Sequence, residues 1–219
     1  MAERNIRSAQ AILQRSFELD GITPLVARRP TEHRVVGTCR HFAVVSTAFM
    51  RARGIPARAR CGFAGYFDPP RKVDHWIVEH WSTEASRWIR LDSEYLDLST
   101  PSPARLEDLQ PWEFLTAGEA WQLIRSGGSD PGEFGVFGTG NWGPGEVRGN
   151  AMRDLASVAA KVEMLPWDEW GPMAASYRDE SGEEFDALID QVAGALQVDD
   201  LAAAERLYAR LLVPSSMIT

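Results

Sequence analysis

Three residues of this 219-residue sequence have types and spacing that could do covalent chemistry: Cys39, His75 and Asp92. Cys39 stands in Val35-Val36-Gly37-Thr38-Cys39-Arg40-His41-Phe42, where an apolar helix pattern begins. A helix start carries partial positive charge, and a neighbouring imidazolium adds more; both favour thiolate over thiol. His75 would serve as that neighbour and as the proton donor and acceptor, with Asp92 orienting its ring, the division of labour of a nucleophile-base-acid triad. Such a thiolate attacks a carbonyl and passes the acyl group, through a thioester, to water or to an amine.

The elements needed to bring these residues together can be read from the pattern. Apolar residues recur at helical spacing from Ile6 to Leu19, and Asp20-Gly21 supplies the stop. A second helix starts at Gly37-Thr38-Cys39, with Thr38 as N-cap, and runs to Arg53 before Gly54-Ile55-Pro56. Its expected buried stripe is Phe42, Ala43, Phe49 and Met50, with Cys39 on the same face. Three strand-like runs follow, Ala57 to Phe67, His75 to Trp81 and Arg87 to Asp92, separated by Asp68-Pro69-Pro70 and by Ser82 to Ser86. The fold class is therefore α+β, a nucleophile helix packed on an antiparallel sheet. A hairpin turn centred near Glu84 makes cross-strand partners sum to 167 or 168, which places His75 opposite Asp92. A slip of one residue would separate them onto opposite faces.

The segments GTCRHFAVVSTAFMRARGIPARARCGF, DHWIVEHW and RWIRLDSE resemble the nucleophile, His and Asp segments of the transglutaminase-like superfamily. The resemblance spans Val35 to Asp97 and implies a transglutaminase-like core with Cys39 as nucleophile, His75 as acid and base, and Asp92 as orienting residue. It implies an amidase or peptidase-like hydrolase, or else an acyltransferase that forms an amide bond with an amine, as in small-molecule biosynthesis. A reading of another class is a non-catalytic binding module that keeps the fold. Two departures stand out. His41 occupies a place where many bacterial members carry an acidic residue, and Ser93-Glu94 replaces a common Pro-Thr.

The expected division is a catalytic core over residues 1–100 and a mostly helical extension over 101–219, with a Gly-rich loop at 126–150. Within the extension, Ala104 to Ile124 reads as helical with a second helix starting near Pro111, and further helices are expected at Asn150 to Met164, Glu183 to Leu196 and Asp200 to Leu212. Phe137 and Trp142 of the loop are candidate substrate contacts, as is Trp76 beside the histidine. Cys61 reads as core, and Asp68, Asp74 and Glu79 as surface charges.

Composition narrows the partners. At 44% hydrophobic and 25% charged the chain is built to fold around a core. A formal net charge of -8 argues against nucleic acid or an anionic membrane as the main partner. Arg51, Arg53, Arg58 and Arg60 cluster locally but alternate with Ala and Gly, the pattern of a solvated face. The amphipathic N-terminus lacks a signal-peptide core, and no apolar run approaches the roughly 20 residues that span a bilayer. The expected location is the cytoplasm, where two free cysteines persist. No cofactor and no metal is expected: a zinc set drawn from Cys39, Cys61, His75 and His80 lacks the Cys-x2-Cys or His-x3-His spacing. The expected substrate is a peptide or small-molecule amide.

Overall fold

The computed structural model describes residues 3–96, 104–161, 164–178, 180–197 and 200–211, so the expected boundary between residues 100 and 101 lies outside the described residues. Helix α1 (Ala9–Leu19) is capped by Ser8, whose hydroxyl accepts the Ala11 N–H at 3.2 Å. Helix α2 (Cys39–Ala52) follows, then strands β1 (Ala57–Asp68), β2 (Arg71–Ser82) and β3 (Arg87–Leu91). Beyond these come β4 (Phe114–Thr116), α3 (Ala117–Arg125), β5 (Phe134–Gly135), α4 (Pro144–Val158), α5 (Met173–Tyr177), α6 (Glu183–Gln197) and α7 (Leu201–Leu211). This is the expected α+β class, with α2 packed on an antiparallel sheet of order β3-β2-β1-β4. No helix among the described residues is long and apolar enough to cross a membrane.

Strand parity decides what meets what. Cys61 pairs with Trp76 and Ala59 with Val78, and these side chains form one core with Ala43 of α2, against which Cys39 and Met50 pack. Phe42 and Phe49, expected on that buried stripe, instead point to solvent, because residues 39, 43 and 50 are the set that one helix face can present to the sheet. The opposite sheet face carries Ala64 and Ile77 over Leu106, Leu109 and Phe114.

The edge of β2 away from β1 is covered in two pieces. β5 pairs in parallel with Lys72 and Val73, and β3 pairs with Val78 to Ser82. Residues 74–77 between them have no strand on that side among the described residues, and His75 lies in this gap.

Three sequence expectations change. The segment from Ala104 is not a helix up to β4; Phe114 to Thr116 is recruited as a strand because Gly62 lets it approach. A Cβ at Gly62 would sit 2.1 Å from the Leu115 carbonyl oxygen. The Gly-rich stretch also carries more structure than a loop, containing β5 and the first turns of α4, where Pro144 occupies an N-terminal position that needs no N–H.

Finally, Arg58 and Arg60 do not form a solvated face, although Arg51 and Arg53 are exposed. They share a face of β1 with Glu79 of β2, which accepts Arg58 at 2.8 Å, Arg60 at 2.7 Å and Arg90 of β3 at 3.1 Å. Arg60 reaches on to Asp154 of α4 at 2.8 Å. Helix α4 also satisfies the free edge of β1: Asp154 accepts the Cys61 N–H at 2.9 Å and Ser157 donates to the Ala59 carbonyl at 2.6 Å.

Burial opposes the charge on Glu79, but Arg60, Arg58 and Arg90 outweigh it and hold the carboxyl at about 2, against an ordinary 4.5. A carboxyl lowered on folding stabilises above its unfolded value, and that contribution is lost as pH falls from 4.5 toward 2. Urea midpoints measured across that window should drop in the wild type and stay flatter in Glu79→Gln. At neutral pH that variant should lose about 3 kcal/mol, since three guanidinium groups lose a charged partner while Arg60 keeps Asp154 and Arg90 keeps Glu119.

Candidate functional site

The site begins with how α2 starts. Thr38 is the N-cap, in extended backbone (φ -118°, ψ 175°), and Cys39 is the first helical residue. The Thr38 N–H donates to Nδ1 of His41 at 3.0 Å, so a histidine does the capping-box work usually given to Glu or Gln. Gly37 makes room for it: a Cβ there would lie 2.9 Å from the His41 Cβ. An Nδ1 that accepts belongs to a neutral ring, and burial together with the Arg40 charge lowers the His41 pKa. The departure at His41 is thus explained by local structure, since it fixes the turn that presents Cys39.

His75 and Asp92 sit on the other sheet face. The register pairs Val78 with Leu91 and Ser82 with Arg87, so partners sum to 169 rather than 167 or 168, because all four residues Thr83 to Ser86 form the connection. The two-residue difference preserves parity, and the residues meet on a diagonal. His75 Nε2 lies 3.0 Å from Asp92 Oδ2, and both side chains are buried. Phe67 packs edge-on against the imidazole at 4.9 Å, with Tyr95 at 6.0 Å and Tyr66 at 6.4 Å between centroids.

Asp92 is held by every lone pair it offers. Oδ2 also accepts the Tyr66 hydroxyl at 2.6 Å, while Oδ1 accepts the Glu94 and Tyr95 N–H groups at 3.0 and 3.2 Å. Burial pushes its pKa up, yet His75, Tyr66 and the turn amides lower it overall, so Asp92 stays ionised. Tyr66 had no signal in residue spacing. The register shift between Ala64 and Asp68 breaks the alternation of β1 before Tyr66 is reached, so parity does not point to it either.

The thiol reaches this pair through the gap in β2. Cys39 Sγ, a His75 ring nitrogen and a Glu94 carboxylate oxygen all lie within 4.8 Å of one another. Nε2 is committed to Asp92, which leaves Nδ1 to face the thiol. Burial pushes the half-buried Cys39 thiol up, with Asp74 and Glu94 adding to it, and the His75 hydrogen bond and charge pull it down without overcoming burial, so the net shift is upward. For His75, burial disfavours the charged ring, but hydrogen bonds to Asp92 and Cys39 prevail and raise it to about 10. The electrostatics therefore favour a charged imidazole beside sulfur.

Asp74 and Glu79, read as surface charges, are both drawn inward. Asp74 accepts Asn150 of α4 at 2.7 Å, and Asn150 is in turn bonded by Arg153 at 2.9 Å. Arg153 also pairs with the buried Glu146 at 3.1 Å, whose carboxyl burial pushes up to about 7. Trp76 is 1% exposed and lies in the core under Cys39, opposite in parity to His75. Trp142 packs on Gly135 and stacks with Arg71 at 4.8 Å, four residues or about 13 Å of strand from His75. Phe137 is 65% exposed. Among the described residues, Cys39, His75 and Glu94 are the group with donor atoms clustered to hold a metal; the set with Cys61 and His80 does not form.

Residues 20–93 match the family model of the transglutaminase-like superfamily, and the α+β core they build is consistent with it. The matched span includes Cys39, His75 and Asp92, and supports cysteine-based catalysis in general. No curated protein and no solved structure matches the chain.

Two outcomes follow from this geometry. In the native protein at neutral pH, iodoacetamide should label Cys39 and spare Cys61, which is fully buried with its thiol pKa well raised; mass mapping of the peptides reads the ratio. His41→Ala should cost about 1 kcal/mol in urea denaturation through the lost cap, and should slow Cys39 labelling as the first turn frays.

Proposed function

We propose that this chain is a cysteine hydrolase of amide or peptide bonds that works through a thioester on Cys39. The observation that carries the reading is the line from sulfur to imidazole to carboxylate, with His75 bonded to Asp92 at 3.0 Å on one side and facing Cys39 on the other. Cys39, His75 and Asp92 are the catalytic residues of this proposal.

In the acylation step the Cys39 thiolate attacks the substrate carbonyl carbon. The Cys39 N–H, at a helix start where no preceding turn offers it an acceptor, is placed to stabilise the developing oxyanion. His75 gives its Nδ1 proton to the leaving nitrogen, the C–N bond breaks, and the thioester remains. Water then attacks the thioester, His75 takes one of its protons, the C–S bond breaks to return sulfur to thiolate, and the product leaves as the carboxylic acid, which gives its proton to solvent. Asp92 keeps its charge throughout and fixes the ring, with Tyr66 fixing Asp92. Water reaches a half-buried thioester without a second substrate having to bind, which favours hydrolysis over transfer to an amine. Both cysteines are free thiols, which supports a reducing compartment, and we place the reaction in the cytoplasm.

An activated acyl ester should leave a mass increment on Cys39 that decays by hydrolysis. Cys39→Ala should abolish adduct and turnover while keeping the wild-type circular dichroism and urea midpoint, because alanine is well tolerated at a helix start. Full turnover by that variant would overturn the mechanism. Added primary amine that diverts most of the thioester to amide would move the reading to acyl transfer.

A further inference from the structure

The proposed hydrolysis uses Cys39, His75 and Asp92 and leaves Glu94 without a task. No hydrogen bond or ion pair engages its carboxylate among the described residues, although it is half-buried and its pKa is raised by that burial. It is nonetheless anchored, because its own N–H is tied to Asp92 Oδ1 at 3.0 Å, which fixes the backbone one turn from the imidazole.

From this we propose that Cys39 Sγ, His75 Nδ1 and Glu94 form a zinc site that reversibly silences the nucleophile. Thiolate, imidazole and carboxylate are the three side-chain donors that zinc prefers, at about 2.0–2.3 Å, so in a tetrahedral site they stand about 3.5 Å apart. The three donor atoms here already lie within 4.8 Å of one another, close enough for side-chain rotation alone to bring them onto one ion. The histidine is prepared as a metal ligand in a further respect. Its second nitrogen is bonded to a carboxylate, the arrangement that fixes tautomer and ring orientation in zinc sites, and that carboxylate is itself bonded by Tyr66. Three protein donors leave a fourth position for water.

Binding displaces to solvent the proton that sulfur and Nδ1 share, and zinc takes up the sulfur lone pair that would attack a carbonyl. The metal-bound and catalytic states are therefore mutually exclusive, and a chelator restores the second. This site is independent of which acyl substrate the enzyme uses, so it can stand or fall apart from the hydrolase reading.

The test uses the full chain and the metal alone. Equimolar zinc should protect Cys39 from iodoacetamide, with EDTA restoring labelling. Cobalt should give the ultraviolet thiolate-to-metal charge-transfer band and the visible bands of a tetrahedral site, both absent in Cys39→Ala. Glu94→Gln should weaken protection at least about tenfold, since even groups that only orient a metal ligand cost that much when removed. Without metal it should label as fast as wild type or faster, because a negative charge beside the thiol is gone. Unchanged labelling of the wild type in a large excess of zinc would overturn the proposal, whatever the behaviour of the variant. Equal protection of wild type and Glu94→Gln would remove Glu94 from the site and overturn it as well.

Discussion

A thiol on one face of a sheet and an imidazole on the other can meet only at an edge. Cys39 belongs to the helix that packs over Cys61, Trp76 and Val78, whereas His75 and Asp92 belong to the face that carries Ala64 and Ile77. The interruption along β2, where β5 stops at Val73 and β3 starts at Val78, creates the edge they need. Much of the architecture follows from keeping that interruption open and its rim rigid. β5 is two residues long, β3 ends one residue before Asp92, and the turn after it folds back so that its amides bind the Asp92 carboxylate.

Rigidity at the rim comes from buried charge held in pairs. Glu79 ties three strands through three arginines, and Arg60 carries the tie into α4. On the opposite face, Asp74, Asn150, Arg153 and Glu146 make a second connection from β2 to the same helix. Buried charges of this kind add less stability than apolar packing, but each leaves few alternative arrangements of its partners. A thiol, an imidazole and a carboxylate that must hold angstrom-scale geometry gain from that restriction.

What could be read from the residues was local. The start of α2 at Cys39, its stop at Gly54-Ile55-Pro56 and three strands bounded by turn residues are encoded within a few positions of where they act. The juxtaposition of His75 and Asp92 was legible as a face, because a shift of two residues leaves parity intact, but not as a register. Tyr66 and Glu94 reach the site through the curl at the end of β1 and the turn after β3, and neither leaves a periodic trace. Arg58, Arg60 and Glu79 look like surface charge when counted singly; only strand pairing shows that they compensate one another inside. Helix α4, expected from Asn150, starts earlier, at Pro144. It is buried nearly all round, with Val147, Ala151, Met152, Leu155 and Ala156 in the apolar core and Asn150, Arg153, Asp154 and Ser157 also buried, so a one-sided hydrophobic period does not mark it.

That polar face of α4 has a bearing on assembly. An uncovered strand edge is a template on which any extended chain, including another copy of the same protein, can add itself. By taking the Cys61 N–H and the Ala59 carbonyl with Asp154 and Ser157, α4 answers β1 with side chains in place of a neighbouring backbone. The sheet is thereby closed to growth on that side without lengthening β4. Helix α4 thus covers a strand edge as well as packing the core, two tasks met by one element.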